Sequence, residues 1–200
     1  MKKFRISPPV AALLLAVALF IASGLLPNGY GSDMAIAKAQ AVNIVRLSVF
    51  LGVIAAGQTL VVISGFEGID LSAGSVVTLT AILTYVTVSG ENDKVLIALL
   101  ISLAVGAAIG FVNGMGITFL KISPFVMTLG MSGVVTGAII VINHGNVSGK
   151  IAPIMTKLIA RPLVLGIPGA IIIWLVFGVL MWLLLERTTY GKNLFAIGVN

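Results

Sequence analysis

The sequence predicts an all-α, polytopic membrane helix bundle of about six transmembrane helices, with a break near residues 65–72. Three observations carry this. The 200 residues are 59% hydrophobic and only 9% charged, against about 25% charged residues in ordinary globular domains. The apolar runs are continuous, where an outer-membrane barrel would alternate apolar and polar residues. The run from Leu47 to Gly90 is too long for one span: its 44 residues would reach roughly 66 Å as a helix, against a hydrocarbon core of ~30 Å.

The break in that run is the most informative stretch of the chain. Gly65-Phe66-Glu67-Gly68-Ile69-Asp70-Leu71-Ser72-Ala73-Gly74-Ser75 contains Glu67 and Asp70, the only charged residues between Arg46 and Glu91. Gly65 and Gly68 mark where the helix gives way. Asp70 and Ser72 then resemble the opening of a new helix, since a short polar side chain accepts a hydrogen bond from free first-turn N–H groups. Negative charge is also favoured there.

The elements follow in order. A basic lead with Lys2, Lys3 and Arg5 precedes Val10–Leu26, a charge-free first span closed by Pro27-Asn28-Gly29. Ala39-Gln40-Ala41 resembles a signal cleavage site, but it lies far beyond the apolar run and more apolar segments follow, so the span is read as retained. Leu47–Gly65 and Leu71–Gly90 form the second and third spans, the latter ending at the charged turn Glu91-Asn92-Asp93-Lys94. Val95–Leu120 is the fourth, ended by Lys121-Ile122-Ser123-Pro124, because Pro124 cannot continue the ladder. Phe125–Asn143 is the fifth. His144–Pro162 reads as a loop with a short surface helix, and Leu163–Leu185 is the sixth span, with Pro168 as an alternative start.

Six crossings place both termini on one side. With the N-terminus inside, Lys2, Lys3, Arg5, Lys121, Arg187 and Lys192 are cytoplasmic, against Lys38, Lys94, Lys150, Lys157 and Arg161 outside. The totals are nearly equal, and the leading basic cluster, which usually dominates, favours the N-terminus in the cytoplasm. Gly106, Gly110 and Gly114, with Gly133 and Gly137, are spaced as small-residue packing faces. Asn113 either lines a polar path or bonds to a neighbouring helix.

Several classes of function are excluded. The net charge of +6 is scattered singly at segment ends, without the aromatic-basic stripe that nucleic acid requires. Absence of cysteine and a single histidine, His144, remove thiolate sites and leave no cofactor or metal constellation. Gly145–Ile151 superficially resembles a phosphate loop, yet it is one residue short and has no Ser or Thr after Lys150. Glu67 and Asp70 have no nucleophile, metal or electrophile beside them, so no catalytic residue is assigned.

Four stretches match one family in order. Gly68-Ile69-Asp70-Leu71-Ser72-Ala73-Gly74-Ser75, preceded by Gly57-Gln58-Thr59-Leu60-Val61, resembles the signature of bacterial ABC-importer permeases of the ribose/xylose and branched-chain amino acid superfamily. Gly110-Phe111-Val112-Asn113-Gly114 and Lys121–Gly130 also match. So do Glu186-Arg187-Thr188-Thr189-Tyr190-Gly191-Lys192 and Ala196-Ile197-Gly198-Val199-Asn200. The Gly-Ile-Asp-Leu-Ser form is closer to the sugar branch, and Phe66-Glu67 departs from many sugar permeases.

The resemblance implies the membrane-spanning subunit of an ATP-driven importer for a small polar solute, such as a monosaccharide, in the bacterial cytoplasmic membrane. It implies a separate ATP-binding subunit, an extracytoplasmic solute-binding protein and a second permease subunit. On this reading residues 1–200 are the N-terminal part of a permease domain, and the helix that docks on the ATPase should begin only where Asn200 ends the sequence. Glu67, Asp70, Ser72 and Asn113 are the translocation-path candidates, because irregular backbone at membrane depth is tolerated only against protein or a water-filled cavity. Glu186, Arg187, Thr188, Gly191 and Asn200 are the candidates for coupling to the ATPase. Two other readings stay open: an ion-coupled secondary transporter or channel in which Glu67 and Asp70 are coupling carboxylates, and a non-transporting membrane scaffold. For Asp70 itself, a cap without solute contact is the simpler role.

Overall fold

A computed structural model of the chain describes residues 7–26, 29–65, 68–143, 147–159, 161–164 and 167–198. Lys2, Lys3, Arg5, Pro27, Asn28, Phe66, Glu67, His144 and Asn200 lie outside them, so the expectations placed on these residues are not addressed by the structure.

Among the described residues eight α-helices run in chain order: α1 Pro8–Gly24, α2 Met34–Ile63, α3 Ala73–Val88, α4 Val95–Thr118, α5 Pro124–Asn143, α6 Pro153–Ile159, α7 Gly169–Arg187 and α8 Thr189–Gly198. Four of them, α2, α4, α5 and α7, are long and apolar enough to cross a membrane, and α1 and α3 are shorter apolar helices. These six correspond to the six predicted spans. Apolar side chains stand exposed along them, among them Leu13, Leu51, Leu103, Val134 and Leu180, as surfaces solvated by lipid require. The protein is a multi-pass membrane helix bundle.

The chain divides into two compact units, residues 1–48 and 49–200. In the first, Tyr30 folds back on the end of α1: its ring lies 5.0 Å from that of Phe20, and its hydroxyl donates to the Phe20 carbonyl at 2.7 Å. Asp33 then opens α2, its carboxylate accepting from Ala35 N–H at 2.8 Å. The second span was expected to begin at Leu47. The helix begins thirteen residues earlier, at Met34, because Asp33 supplies a cap and Lys38, Asn43 and Arg46 interrupt only the apolar pattern, not the backbone ladder.

In the second unit, α3, α4 and α5 pack on one another. Helix α3 has 16 residues, about 24 Å, shorter than the predicted span at both ends. Its start waits for the turn at Asp70, and Ser89 and Gly90, with φ of 42° and 88°, end it in the left-handed region. Helix α5 starts on Pro124, whose missing N–H costs nothing at the first helical position.

The two ends of this unit are built from different loops. At one end the α3–α4 turn meets the segment after α5. There Gly90 N–H donates to Lys150 O at 2.8 Å, Ile154 N–H to Asn92 Oδ1 at 3.0 Å, and Val88, Ala98 and Ala152 form a small core. Lys94 and Glu91 pair across this turn at 2.7 Å. The hydrogen bond and charge of Glu91 raise the Lys94 pKa, and the exposure of the pair keeps its contribution small.

At the other end lie the break after α2, the α4–α5 turn and α8. A Cβ at Gly198 would run into the carbonyl oxygen of Ile63, and one at Gly191 into that of Leu185. The sixth span, α7, takes the later of its two expected starts, at Gly169, after a short antiparallel pairing of Pro162–Val164 with Ile167–Pro168. One expectation changes at the α8 end. Residues 189–198 already form a helix, where one was expected only beyond Asn200. Thr188 starts it as an extended residue, and its Oγ1 accepts from Gly191 N–H at 3.3 Å. Gly191 is buried within α8 and lets that helix close on the last turn of α7.

Candidate functional site

The site is built around residues 68–72, a stretch without helix between α2 and α3. Such a stretch exposes backbone donors and acceptors that lipid cannot satisfy. Each neighbouring helix supplies one polar side chain to it. From α2, Gln58 Nε2 donates to the Asp70 carbonyl at 2.7 Å. From α5, Thr128 Oγ1 accepts from Leu71 N–H at 3.1 Å, and its single proton lies between Pro124 O at 2.8 Å and Ile69 O at 3.2 Å. From α4, Asn113 Nδ2 donates to Ser72 Oγ at 3.0 Å.

Asp70 closes the turn from inside. Its Oδ1 accepts from Ser72 N–H at 2.8 Å and from Ser72 Oγ at 2.6 Å, an Asx turn one residue ahead of the helix. The capping expectation is met in part. Ser72 holds the N-cap position but makes no capping bond, because its hydroxyl is committed to Asp70 and Asn113. A relay therefore runs from the α4 amide through the Ser72 hydroxyl to the Asp70 carboxylate.

Among the described residues, Asn113 Oδ1 has no hydrogen-bond partner and is buried. Turning the amide over does not cure this. It would aim an acceptor at a hydroxyl already donating to Asp70 and leave the Nδ2 unpaired instead.

Asp70, Ser72, Asn113 and Gln58 line one cavity of about 310 Å³ between α2, α3 and α4. Its other walls are apolar, with Val53 and Ile54 from α2, Val76 and Val77 from α3 and Ile109 from α4. The shared lining also defines the break. Val53 and Val77 would stand roughly 36 Å apart in one continuous helix, yet they border the same cavity. The chain thus turns back after Ile63, and α2 and α3 are the arms of a hairpin.

Three glycines make the room. Gly57, Gly106 and Gly110 line the cavity, and a Cβ at any of them would meet nothing within 4 Å. The same is true of Gly114, Gly133 and Gly137. The expected helix-packing role of these glycines is therefore not realised within this chain. On α4, Gly106 and Gly110 instead leave space beside α2 and α3.

Of the four path candidates, three come together and the fourth, Glu67, is outside the described residues. Gln58 and Thr128 were missed. Gln58 is an amide within a span, and the reasoning that singled out Asn113 applies to it equally. Thr128 carries no comparable signal, since its bond to Pro124 O one turn back is the ordinary habit of a helical threonine. Its partners on the break lie more than fifty residues away in sequence.

Among the coupling candidates, Glu186 and Arg187 are exposed at the end of α7. The Arg187 guanidinium lies 5.6 Å from the Trp182 ring centroid, the amphipathic pairing of a membrane boundary. Thr188 and Gly191 serve the α7–α8 junction described above. Helix α8 buries Gly191 and Leu194 and exposes Tyr190, Phe195 and Ile197.

Residues 40–200 match the family described as branched-chain amino acid transport system / permease component. The chain is 37% identical over 150 residues to a fructose import permease of Bifidobacterium longum, covering 74% of this chain and 41% of that one. It is 34% identical over 159 residues to a ribose import permease of Bacillus subtilis, covering 79% and 48%. An autoinducer 2 import system permease of Salmonella paratyphi B is 32% identical over 205 residues, covering 100% of this chain and 55% of that one. The chain thus spans about half the length of these relatives. No solved structure matches it.

Proposed function

This chain belongs to the family of branched-chain amino acid transport system permease components, and from that membership we propose that it is membrane-spanning machinery of an ATP-driven importer of a small polar solute of the monosaccharide kind. The observation that carries the proposal is the polar break, tied by Gln58, Asn113 and Thr128 to three separate helices and bordering a cavity lined by Asp70. A helix bundle that only filled a membrane would have no use for irregular backbone at such cost. The relatives named as sugar import permeases support the solute class.

In this reading the chain performs no chemistry. A separate ATP-binding subunit hydrolyses ATP and meets the face formed by Glu186–Gly198, an extracytoplasmic protein delivers the solute, and a second permease subunit completes the path. The N-terminus and α8 lie in the cytoplasm of a bacterial cell, and the break opens towards that side. Movement of α8 reaches the break through the contact of Gly198 with Ile63, so that the cavity between α2, α3 and α4 changes its access as ATP is bound and hydrolysed.

The test is uptake of labelled D-ribose, D-fructose and D-allose by cells carrying or lacking the gene, with ATP and ion gradients collapsed separately. Loss of uptake on deletion, dependence on ATP and indifference to an ionophore are expected. Uptake abolished by the ionophore with ATP intact would establish ion coupling instead. Uptake of every solute unchanged by deletion would leave a scaffold.

A further inference from the structure

We propose that a groove on the outer face of α7 binds one phospholipid with an anionic headgroup, its phosphate at Arg187 and an acyl chain against Gly178. The site is a property of the membrane-spanning fold and is independent of what an importer would carry. Trp174, Gly178 and Trp182 follow one another at intervals of four residues, which places them on one face of the helix. With Leu175 and Val179 they border a groove of about 270 Å³. A Cβ at Gly178 would meet nothing within 4 Å, so the glycine forms the floor and the two indoles form the ends. Trp174 is braced by α2 at Gly52, where a Cβ would overlap the indole nitrogen. Leu175, Val179 and Trp182 are each more than half exposed, and in a membrane lipid covers such surfaces.

Depth decides which part of a lipid reaches each residue. Helix α7 has 19 residues, about 28 Å, close to the ~30 Å of the hydrocarbon core. Gly178 is its middle residue and therefore lies near the midplane, where acyl chains end. Arg187 is its last residue and stands at the headgroups. The guanidinium folds back along the helix to lie 5.6 Å from the Trp182 ring centroid. Cation, amphipathic indole and apolar notch thus succeed one another down one face. A phospholipid offers matching groups in the same order: a phosphate for Arg187, an ester carbonyl for the Trp182 indole N–H, and a chain that runs past Val179 to Gly178. The rise from Gly178 to Arg187, about 14 Å, is close to half the core.

Charge selects the headgroup. Glu186 neighbours Arg187 in sequence, but among the described residues the only ion pair is Lys94 with Glu91, so no carboxylate is paired with the guanidinium. Lys192 adds an exposed cation near the start of α8. A headgroup of net negative charge is favoured here over a zwitterionic one, whose ammonium group would meet like charge.

Trp174 and Trp182 are the only tryptophans in the chain, so its indole fluorescence reports on this groove alone. The full chain is placed in lipid nanodiscs in which a minor fraction of the lipid carries bromine on its acyl chains, a contact quencher of indole. Brominated phosphatidylglycerol should associate about fivefold more strongly than brominated phosphatidylcholine, the factor that one basic residue supplies at a membrane surface. Arg187→Gln should bring that ratio close to one, and Arg187→Lys should restore most of it. Gly178→Leu, which fills the notch, should weaken quenching by both lipids. A ratio near one in the parent chain, or a ratio unchanged by Arg187→Gln, would overturn the proposal, as would quenching unchanged by Gly178→Leu. Tryptophans that neither brominated lipid quenches would show a protein surface over the groove, such as a second copy of this chain, and would overturn it too.

Discussion

Gly198 lies against the carbonyl of Ile63, so close that a Cβ at residue 198 would overlap that oxygen and stand 3.7 Å from the Gly65 nitrogen. The end of α8 is thereby seated on the end of α2, where the hairpin to α3 begins. Gly198→Val should force the two apart, since neither backbone can yield as a flexible side chain would. A disulfide between cysteines placed at Ile197 and Ser64 should form readily in the parent chain and poorly in the Gly198→Val variant. Equal yields in both would mean that the contact does not hold α8 in place.

The glycines fall into two groups with opposite expected behaviour. Gly191 faces the Leu185 carbonyl without room for a methyl group, whereas Gly106 has open space. Gly191→Ala should destabilise the chain by about 1–3 kcal/mol through overpacking. Gly106→Ala should stabilise it by about 0.5–1 kcal/mol, the helix-propensity difference. Reversible unfolding in mixed micelles measures both, and a shared sign would contradict the assignment.

Asp70 is tested by two substitutions. Asparagine retains an oxygen for Ser72 N–H and for the Ser72 hydroxyl, so Asp70→Asn should keep the hairpin. Asp70→Leu removes both bonds and should cost about 0.5–2 kcal/mol. If the carboxylate also serves the solute path, Asp70→Asn will fold and yet lower uptake in the assembled importer. Uptake at the parental rate would reduce Asp70 to a turn residue.

Thr128 gives the sharpest test of how the break is held. Thr128→Val preserves shape but removes the hydroxyl that accepts from Leu71 N–H, a bond worth about 0.5–1.5 kcal/mol. The amide of Leu71 should exchange with solvent much faster in the variant, while amides in the middle of α4 should not change. Unaltered exchange at Leu71 would show that another group satisfies it.

The sequence made the spans legible because continuous apolar runs leave few alternatives, and Gly65, Gly68 and Pro124 punctuate them. Asp70, Ser72 and Asn113 were legible for a related reason: a polar side chain in an apolar run must find a partner or serve a function. The partners themselves were not legible. That Asn113 reaches Ser72, 41 residues away, depends on how α3 packs on α4, which no local pattern encodes. The early start of α2 was hidden because Lys38, Asn43 and Arg46 spoil apolarity without opposing helix. The small-residue faces of α4 and α5 meet no neighbour within this chain, and spacing alone cannot distinguish a face that receives a helix from one that borders a cavity.

The last prediction concerns sidedness. Hydrogen bonds from Gly90 and Ile154 gather residues 90–94 and 150–154 at one end of the second unit. The contacts of Thr128 and Gly198 gather the break, the start of α5 and α8 at the other. Asp93 and Lys192 are both exposed and stand at opposite ends. Cysteines introduced there, one at a time, should therefore react with an impermeant maleimide from opposite faces of the membrane. Asp93→Cys should label in intact cells, and Lys192→Cys only after the membrane is opened, as the proposed cytoplasmic place of α8 requires. Labelling of both in intact cells would mean that a helix assigned as a span does not cross. The reverse pattern would keep the bundle and invert it, placing α8 where no cytoplasmic ATP-binding subunit could meet it.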